Sequence, residues 1–365
     1  MLKISITKNP NPAEKPDENA LGFGKIFTDH MVIAEYKQGV GWRNLRIVPF
    51  GTIPMHPAAA VFHYGTEIFE GLKAYRTADG KIQMFRPDEN AKRMNNSARR
   101  MCLPTFDEDD FVEALRAFVE LEQDWIPSAP GTSLYLRPFM FANDPYLGVH
   151  APEDVIFMII ASPVGSYFPN GMQPIKIMIE NSDVRAVRGG TGEAKCGGNY
   201  AASNRAGHRA EKHGYSQVLW LDGIHQKYIE EVGAMNIMFK IGDTITTPAL
   251  SGSILPGITR KSALALLEHQ GIKVCERAIT IDEIIEAIKD GSLDECWGIG
   301  TAAVIAPIGT LAYDGVEYTI GTGDVGPVAK KLHSDLTGIQ WGTGVEDPFG
   351  WAFPLEKAEG EATAR

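Results

Sequence analysis

The longest apolar run in the chain, residues 155–164, limits its fold more than any other segment. A membrane-spanning helix needs about 20 apolar residues, twice what this run offers. Its sequence, Val-Ile-Phe-Met-Ile-Ile-Ala-Ser-Pro-Val, is rich in β-branched and aromatic side chains and reads as a strand. The run 134–141 has the same character. Upstream, residues 67–75 and 81–85 read as paired strands across the Asp79-Gly80 turn. Pro87, Asp88 and Glu89 open a helix that runs through Arg93 to Met101. Phe111, Leu115, Phe118 and Val119 recur at helical spacing within a second helix over 109–125.

Turn formers crowd residues 165–174, and a chain of 365 residues is long enough for two domains, so the boundary is placed there. The reading is an N-terminal extension (1–20), a small domain (21–164), a linker (165–174), a larger domain (175–358) and a disordered tail (359–365). The second half carries strands at 175–179, 217–221 and 236–241, and another ending near Val232. Helices over 259–269 and 281–289 each close at a glycine or an Asp-Gly pair.

A net charge of −11 argues against a nucleic-acid partner. The four cysteines and the histidines show no metal-ligand spacing, so no metal is expected. The polar N-terminus fits neither a secretory signal nor a transit peptide, which leaves no membrane partner and a cytoplasmic, reducing compartment.

Lys195 lies in Gly-Gly-Thr-Gly-Glu-Ala-Lys-Cys-Gly-Gly-Asn-Tyr, residues 189–200, where five glycines let backbone approach a ligand closely. A lysine so placed suits Schiff-base chemistry; the alternative is a flexible surface loop. Pro256-Gly257 delivers the chain into a helix whose first free N–H groups belong to Ile258 and Thr259, an anion site unless Thr259 simply caps the helix. The Gly300-Thr301-Ala302 turn suits an anion or, equally, a tight buried bend. In the pair Glu230/Glu231 one side chain should face each side of a strand, with one of them buried; a carboxylate there could hold a pyridine nitrogen protonated. Residues 321–326 match Gly-x-Gly-x-x-Gly, yet no βαβ unit follows, so they read as a turn before the last helix. No P-loop sequence is present.

Together these segments resemble the branched-chain amino-acid aminotransferases, pyridoxal-phosphate enzymes of fold type IV (aminotransferase class IV, D-amino-acid-aminotransferase-like). The landmarks are residues 62–71, Tyr135-Leu136-Arg137-Pro138, the Lys195 loop, residues 231–236, residues 255–260 and Gly300-Thr301-Ala302. The resemblance covers about 22–353 and implies a two-domain α+β or α/β architecture, with a small N-terminal α/β domain and a larger C-terminal pseudo-barrel. It implies reversible amino transfer between L-Leu, L-Ile or L-Val and 2-oxoglutarate, in a homodimer with its site at the domain interface.

By the same resemblance Lys195 forms the internal aldimine with pyridoxal 5′-phosphate and shuttles the proton. Glu231 pairs with the ring nitrogen, which puts Glu230 outside the site, and Tyr200 stands near O3′. Arg93, Leu255, Gly257, Ile258, Thr259 and Thr301 complete the cofactor set. Tyr64, Phe69, Gly71, Tyr135, Arg137, Tyr167, Thr301 and Ala302 form the substrate set, with Tyr64 a candidate to cross from the second subunit. The glycines around Lys195 are then room for the cofactor ring. Ala303 and Ala306 stand where some relatives carry a redox cysteine pair, and Ala234 where certain relatives have threonine. The competing readings are a D-amino-acid aminotransferase or aminodeoxychorismate lyase on the same fold, an NAD-dependent dehydrogenase resting on 321–326, and a non-enzymatic binding protein.

Overall fold

The computed structural model describes residues 2–168 and 171–355; the tail at 359–365 and the end of the unit closing at 358 lie outside the described residues. Two nine-stranded sheets organise the chain. The first half supplies β1 (Ser5–Ile6), β2 (His30–Lys37), β3 (Gly41–Pro49), α1 (Ala60–Tyr64), β4 (Glu67–Phe69), β5 (Leu72–Arg76), β6 (Ile82–Phe85), α2 (Pro87–Arg100), α3 (Glu108–Leu121), β7 (Ser133–Ala142) and β8 (Asp154–Val164). The long apolar run is β8, hydrogen-bonded to β7 on one side and β2 on the other.

The strand expected over 67–75 is interrupted at Glu70-Gly71. Both β4 and β5 pair with β7, Phe69 opposite Phe139 and Leu72 opposite Leu136, so the register continues through the gap. Pro138 stands opposite Glu70 and accepts its N–H at 2.7 Å, but has no N–H to return. The β5–β6 hairpin forms across Gly80, which adopts φ +80°.

Helix α2 has Pro87 at its start, acids in its first turn and Arg99 and Arg100 in its last, each on the favourable side of the helix dipole. Asp107 caps α3 by accepting from the Asp109 and Asp110 N–H groups. Phe111, Leu115, Phe118 and Val119 are fully buried, so the predicted apolar face is the one packed into the first core. The N-terminal extension is stitched to this sheet. β1 pairs with β3, Lys15 meets Asp29, and Glu18 accepts from the Ser128 and Ala129 N–H groups.

The second half supplies β9 (Ile175–Glu180), α4 (Gly197–Lys212), β10 (Gln217–Leu221), β11 (Ile229–Val232), β12 (Asn236–Ile241), β13 (Thr244–Pro248), α5 (Ile258–His269), β14 (Lys273–Arg277), α6 (Ile281–Lys289), β15 (Leu293–Gly300), β16 (Val304–Tyr313), β17 (Val316–Thr319), α7 (Pro327–Trp341) and β18 (Ala352–Pro354). The sheet order is β11-β10-β9-β16-β15-β12-β13-β14, with β17 on β16. Only residues 233–235 join β11, at one edge, to β12, sixth in that order. So short a link reaches about 10 Å, which requires the sheet to curl back on itself.

Helix α4 had no sequence signal because its apolar face is thin: Asn199, Ala206 and Ala210 are its buried residues. Helices α5 and α7 cover β12, β15 and β16 with Leu266, Leu267, Leu332 and Leu336. After α7 the chain returns to the first sheet, where β18 pairs with β6, although the sequence reading put this segment in the second unit. Residues 321–326 form turns that lead into α7, as read from the sequence.

Candidate active site

The two sheets meet around a cavity of about 310 Å³, lined from both sides. Lys195 stands in its wall, and its backbone is held by the first sheet and its helix. The Lys195 N–H donates to Ser97 Oγ of α2 at 2.9 Å, and its carbonyl accepts from the Phe69 N–H at 2.9 Å. Below it, Asn199 donates to the Thr191 and Ala194 carbonyls and accepts from the Thr191 hydroxyl, all at 2.8 Å. The loop is therefore clamped onto α4 and is not the flexible surface loop of the alternative reading.

The expectation that the surrounding glycines make room for a cofactor ring is corrected. None of the five lines this cavity. A Cβ on Gly192 would lie 2.3 Å from the Ser253 carbonyl oxygen. One on Gly197 would strike the Glu67 carboxylate, which accepts the Gly197 N–H and so supplies the N-terminal cap that α4 lacks from its own Cys196. Gly192 and Gly197 therefore admit neighbouring protein atoms, while Gly189 and Gly198 face open space.

Lys195 Nζ donates to the Tyr200 hydroxyl at 2.7 Å and lies 4.7 Å from the Phe69 ring centroid. Burial, then the nearby Arg93 and Arg137 charges, bring its pKa down to about 7, against the opposing pull of Glu70 and Glu231. Burial and the Glu231 and Glu70 carboxylates push the Tyr200 hydroxyl upward, so it stays protonated.

Both Glu230 and Glu231 are buried, which corrects the expectation that one of the pair would be exposed: β11 is covered on both faces. They still diverge as alternation requires. Glu230 accepts from the Ser253 hydroxyl, away from the cavity. Glu231 lines it, accepting from the Leu255 N–H at 2.9 Å and Asn236 Nδ2 at 3.3 Å, with Arg185 Nε 2.9 Å away. Burial raises its pKa, and Arg185 counters.

Arg93, on α2, makes two bonds of 2.8 Å to Glu70, which is fully buried in the break between β4 and β5. Asn90 adds a 2.7 Å bond to the same carboxylate. Beside Arg93 lies the start of α5. Its cap residue is Gly257, which has no side chain to offer, so Thr259 is not the cap and the Ile258 and Thr259 N–H groups have no partner within the helix. A Cβ at Gly257 would lie 2.1 Å from Asn236 Oδ1. Thr301 and Ala302 complete this wall, and Lys73 Nζ holds the Ala302 carbonyl at 2.9 Å.

On the opposite wall Arg137 donates from Nε to the Glu70 carbonyl at 2.9 Å and from Nη2 to the Tyr135 hydroxyl at 3.2 Å. Its guanidinium sits 4.8 Å from the Phe69 ring, and Phe23 packs edge-on against Tyr135. Gly71, Leu255 and Tyr167 also line the cavity.

Every residue expected for the cofactor is in this wall, as is every residue expected for the substrate except Tyr64. Tyr64 is 40% exposed on α1, where its hydroxyl accepts from the Gly148 N–H at 2.7 Å, so within one chain it does not reach the cavity. Sequence reasoning missed Glu70 as the partner of Arg93, Arg185 as the partner of Glu231, Lys73 and Phe23. The Glu67/Glu70 pair was a signal; Arg185 and Lys73 had none.

The Amino-transferase class IV family matches residues 67–311. Branched-chain-amino-acid aminotransferase 2 of Bacillus subtilis is 52% identical over 96% of this chain and 96% of its own length. The branched-chain-amino-acid aminotransferase of Mycolicibacterium smegmatis is 45% identical over 96% and 97%. Among solved structures, the Escherichia coli branched-chain amino acid aminotransferase matches at TM-score 0.75 and 29% identity, over 90% of this chain and 99% of that one. The T.th. enzyme of the same name, solved with pyridoxamine 5′-phosphate, matches at TM-score 0.72 and 27% identity, over 88% and 98%. The chain belongs to the class IV aminotransferases, among the branched-chain-amino-acid aminotransferases.

Proposed function

We propose that this chain is a pyridoxal-phosphate-dependent transaminase that moves the amino group reversibly between L-Leu, L-Ile or L-Val and 2-oxoglutarate. The observation that carries this reading is a single lysine, brought to a pKa of about 7, facing a cavity with an anion cradle at one end and a buried carboxylate at another. The donor set fits the cofactor. Arg93 and the Ile258 and Thr259 N–H groups suit a phosphate dianion, joined by Thr301. Glu231, held by two hydrogen bonds and the Arg185 ion pair, suits a protonated ring nitrogen, and Tyr200 suits the ring oxygen. The T.th. relative solved with pyridoxamine 5′-phosphate supports the same group.

The bound cofactor supplies an electron-withdrawing ring that makes the Cα proton of the amino acid removable. The residues of this chain do the rest. Lys195 Nζ, titrating near neutral pH, takes and returns that proton, with the Tyr200 hydroxyl holding it in position. Glu231 keeps the ring nitrogen protonated. Tyr135 and the Thr301-Ala302 turn orient the α-carboxylate, and Arg137 receives the distal carboxylate of glutamate. Phe69 and Tyr167 form the wall for the branched side chain.

The same reading includes a homodimer. Phe62, Tyr64, Leu147 and Val149 form an exposed apolar group around α1, 60%, 40%, 64% and 88% exposed, a surface that suits a second copy whose cavity Tyr64 would complete. No helix among the described residues is long and apolar enough to cross a membrane, and the four cysteines are free, in keeping with a cytoplasmic setting.

Purified protein should show a visible absorbance band that Lys195→Ala abolishes, and should turn over L-leucine in preference to D-alanine. A colourless protein, or a faster rate with D-alanine, would refute the proposal.

A further inference from the structure

A second, larger cavity of about 780 Å³ adjoins the first and shares Tyr167, Ala302 and Ala303 with it. Its basic lining residues are Lys73, Arg76 and His333, and among the described residues no aspartate or glutamate lines it. That is unexpected in a chain with 46 acidic and 35 basic residues. The cations are also not neutralised by the fold. Lys73 is 7% exposed, and its recorded bond is to the Ala302 carbonyl at 2.9 Å. Arg76 donates to the carbonyls of Ile126 at 3.2 Å and Gln123 at 2.6 Å.

A buried ammonium facing carbonyls alone is costly, because dipoles replace only part of the hydration it loses. Burial accordingly brings the Lys73 pKa down to about 8, and burial followed by the Lys73 charge lowers that of His333. Low-dielectric walls of one sign concentrate counter-ions, so a cavity of this kind gathers small anions. The anion need not displace the Lys73–Ala302 bond, since an ammonium has three donors.

We propose that this cavity is a second carboxylate site, continuous with the reaction cavity at Tyr167 and Ala302-Ala303, that takes a small dicarboxylate between Lys73 and the Arg76 and His333 side chains. Two cations without a counter-charge, Lys73 and Arg76, favour two carboxylates over one, and the neutral His333 imidazole offers a further N–H donor. The choice of dicarboxylate rests on the proposed transamination; the anion site itself does not. Through Lys73, an occupant bears on the far side of the turn that carries Thr301 and Ala302.

The test is calorimetric titration of the holoenzyme with glutarate, which has neither an oxo nor an amino group and cannot react. Two molecules should bind per chain. One should perturb the visible band from the reaction cavity, and the other should leave it unchanged. The double variant Arg76→Gln/His333→Gln, which alters no residue of the reaction cavity, should weaken the second site at least tenfold while leaving the first. One glutarate per wild-type chain, or two with unchanged affinity in the double variant, would overturn the proposal. So would equal binding of inorganic phosphate at the second site, which would make it a general anion sink. Should the double variant not fold, His333→Gln alone and a crystal of the wild type with glutarate decide, by whether a carboxylate lies against Lys73. Absence of the visible band would instead count against the proposed function, with the second site still measurable by heat.

Discussion

Gly71→Ala tests the substrate wall with one added carbon. The Cβ of alanine at this position would lie 2.1 Å from the Tyr135 hydroxyl oxygen and 2.9 Å from Cζ of its ring, where ordinary contact is 3.4 Å or more. Moving the hydroxyl alone does not relieve the contact with the ring, so the whole tyrosine must shift by more than an ångström. It cannot do so and keep the 3.2 Å bond it accepts from Arg137 or its edge contact with Phe23. Overpacking of this size costs about 1–3 kcal/mol of stability. Losing one hydrogen bond to a charged group costs about 1.5–3 kcal/mol, which in kcat/KM is roughly 10- to 150-fold. The assay is steady-state kinetics with L-leucine and with 2-oxoglutarate, alongside Tyr135→Phe, which removes the same bond without the clash. Gly71→Ala should lose at least as much as Tyr135→Phe with both substrates. A Gly71→Ala enzyme with kcat/KM within twofold of wild type would show that Tyr135 is not held where the argument requires it.

Glu231→Gln should retain cofactor and colour yet lose kcat on the order of 100-fold, because the ring nitrogen is no longer kept protonated; unchanged turnover would remove Glu231 from the site. Glu70→Ala leaves the Arg93 guanidinium buried without its carboxylate and should cost about 3–5 kcal/mol in urea unfolding, with Glu70→Gln recovering part of it. In cofactor-free protein Lys195 titrates at about 7 when folded and near ~10.4 when unfolded, so between those values the unfolded chain binds more protons. Its contribution to stability should therefore rise with pH from about 7 to about 10 and stay constant outside that window. Melting temperatures of wild type and Lys195→Met should diverge over that range, and parallel curves would contradict the lowered pKa.

Much of the site was legible before folding because its parts are local. The Pro-Gly turn and the apolar periodicity after it locate the start of α5, and only a glycine cap leaves its N–H groups available. Lys195, Arg93, Tyr135 and Arg137 were named by the resemblance through short motifs, on elements that local spacing defines. The break between β4 and β5 was not legible, since it depends on Pro138 standing opposite Glu70 across the sheet. Nor was α4, whose buried face is too small to leave a periodic trace.

By itself, the sequence placed the strands β7 and β8, the helices α2 and α3 and the apolar face of α3, which are written in local spacing, and through its resemblance to a family it named Lys195 as the candidate reactive lysine. Tertiary structure alone decided how that lysine is charged and held. Its pKa depends on burial between two sheets and on Arg93, which arrives with Glu70 from a different part of the chain. It also set Gly192 and Gly197 of the loop against protein atoms instead of the cavity, buried both carboxylates of the Glu230/Glu231 pair, and carried Tyr64 to an outer face. Lys73 meets Ala302 across 229 residues of sequence. Burial and counter-charge arise from contacts that distant segments make only once folded, and spacing along a chain carries no record of them.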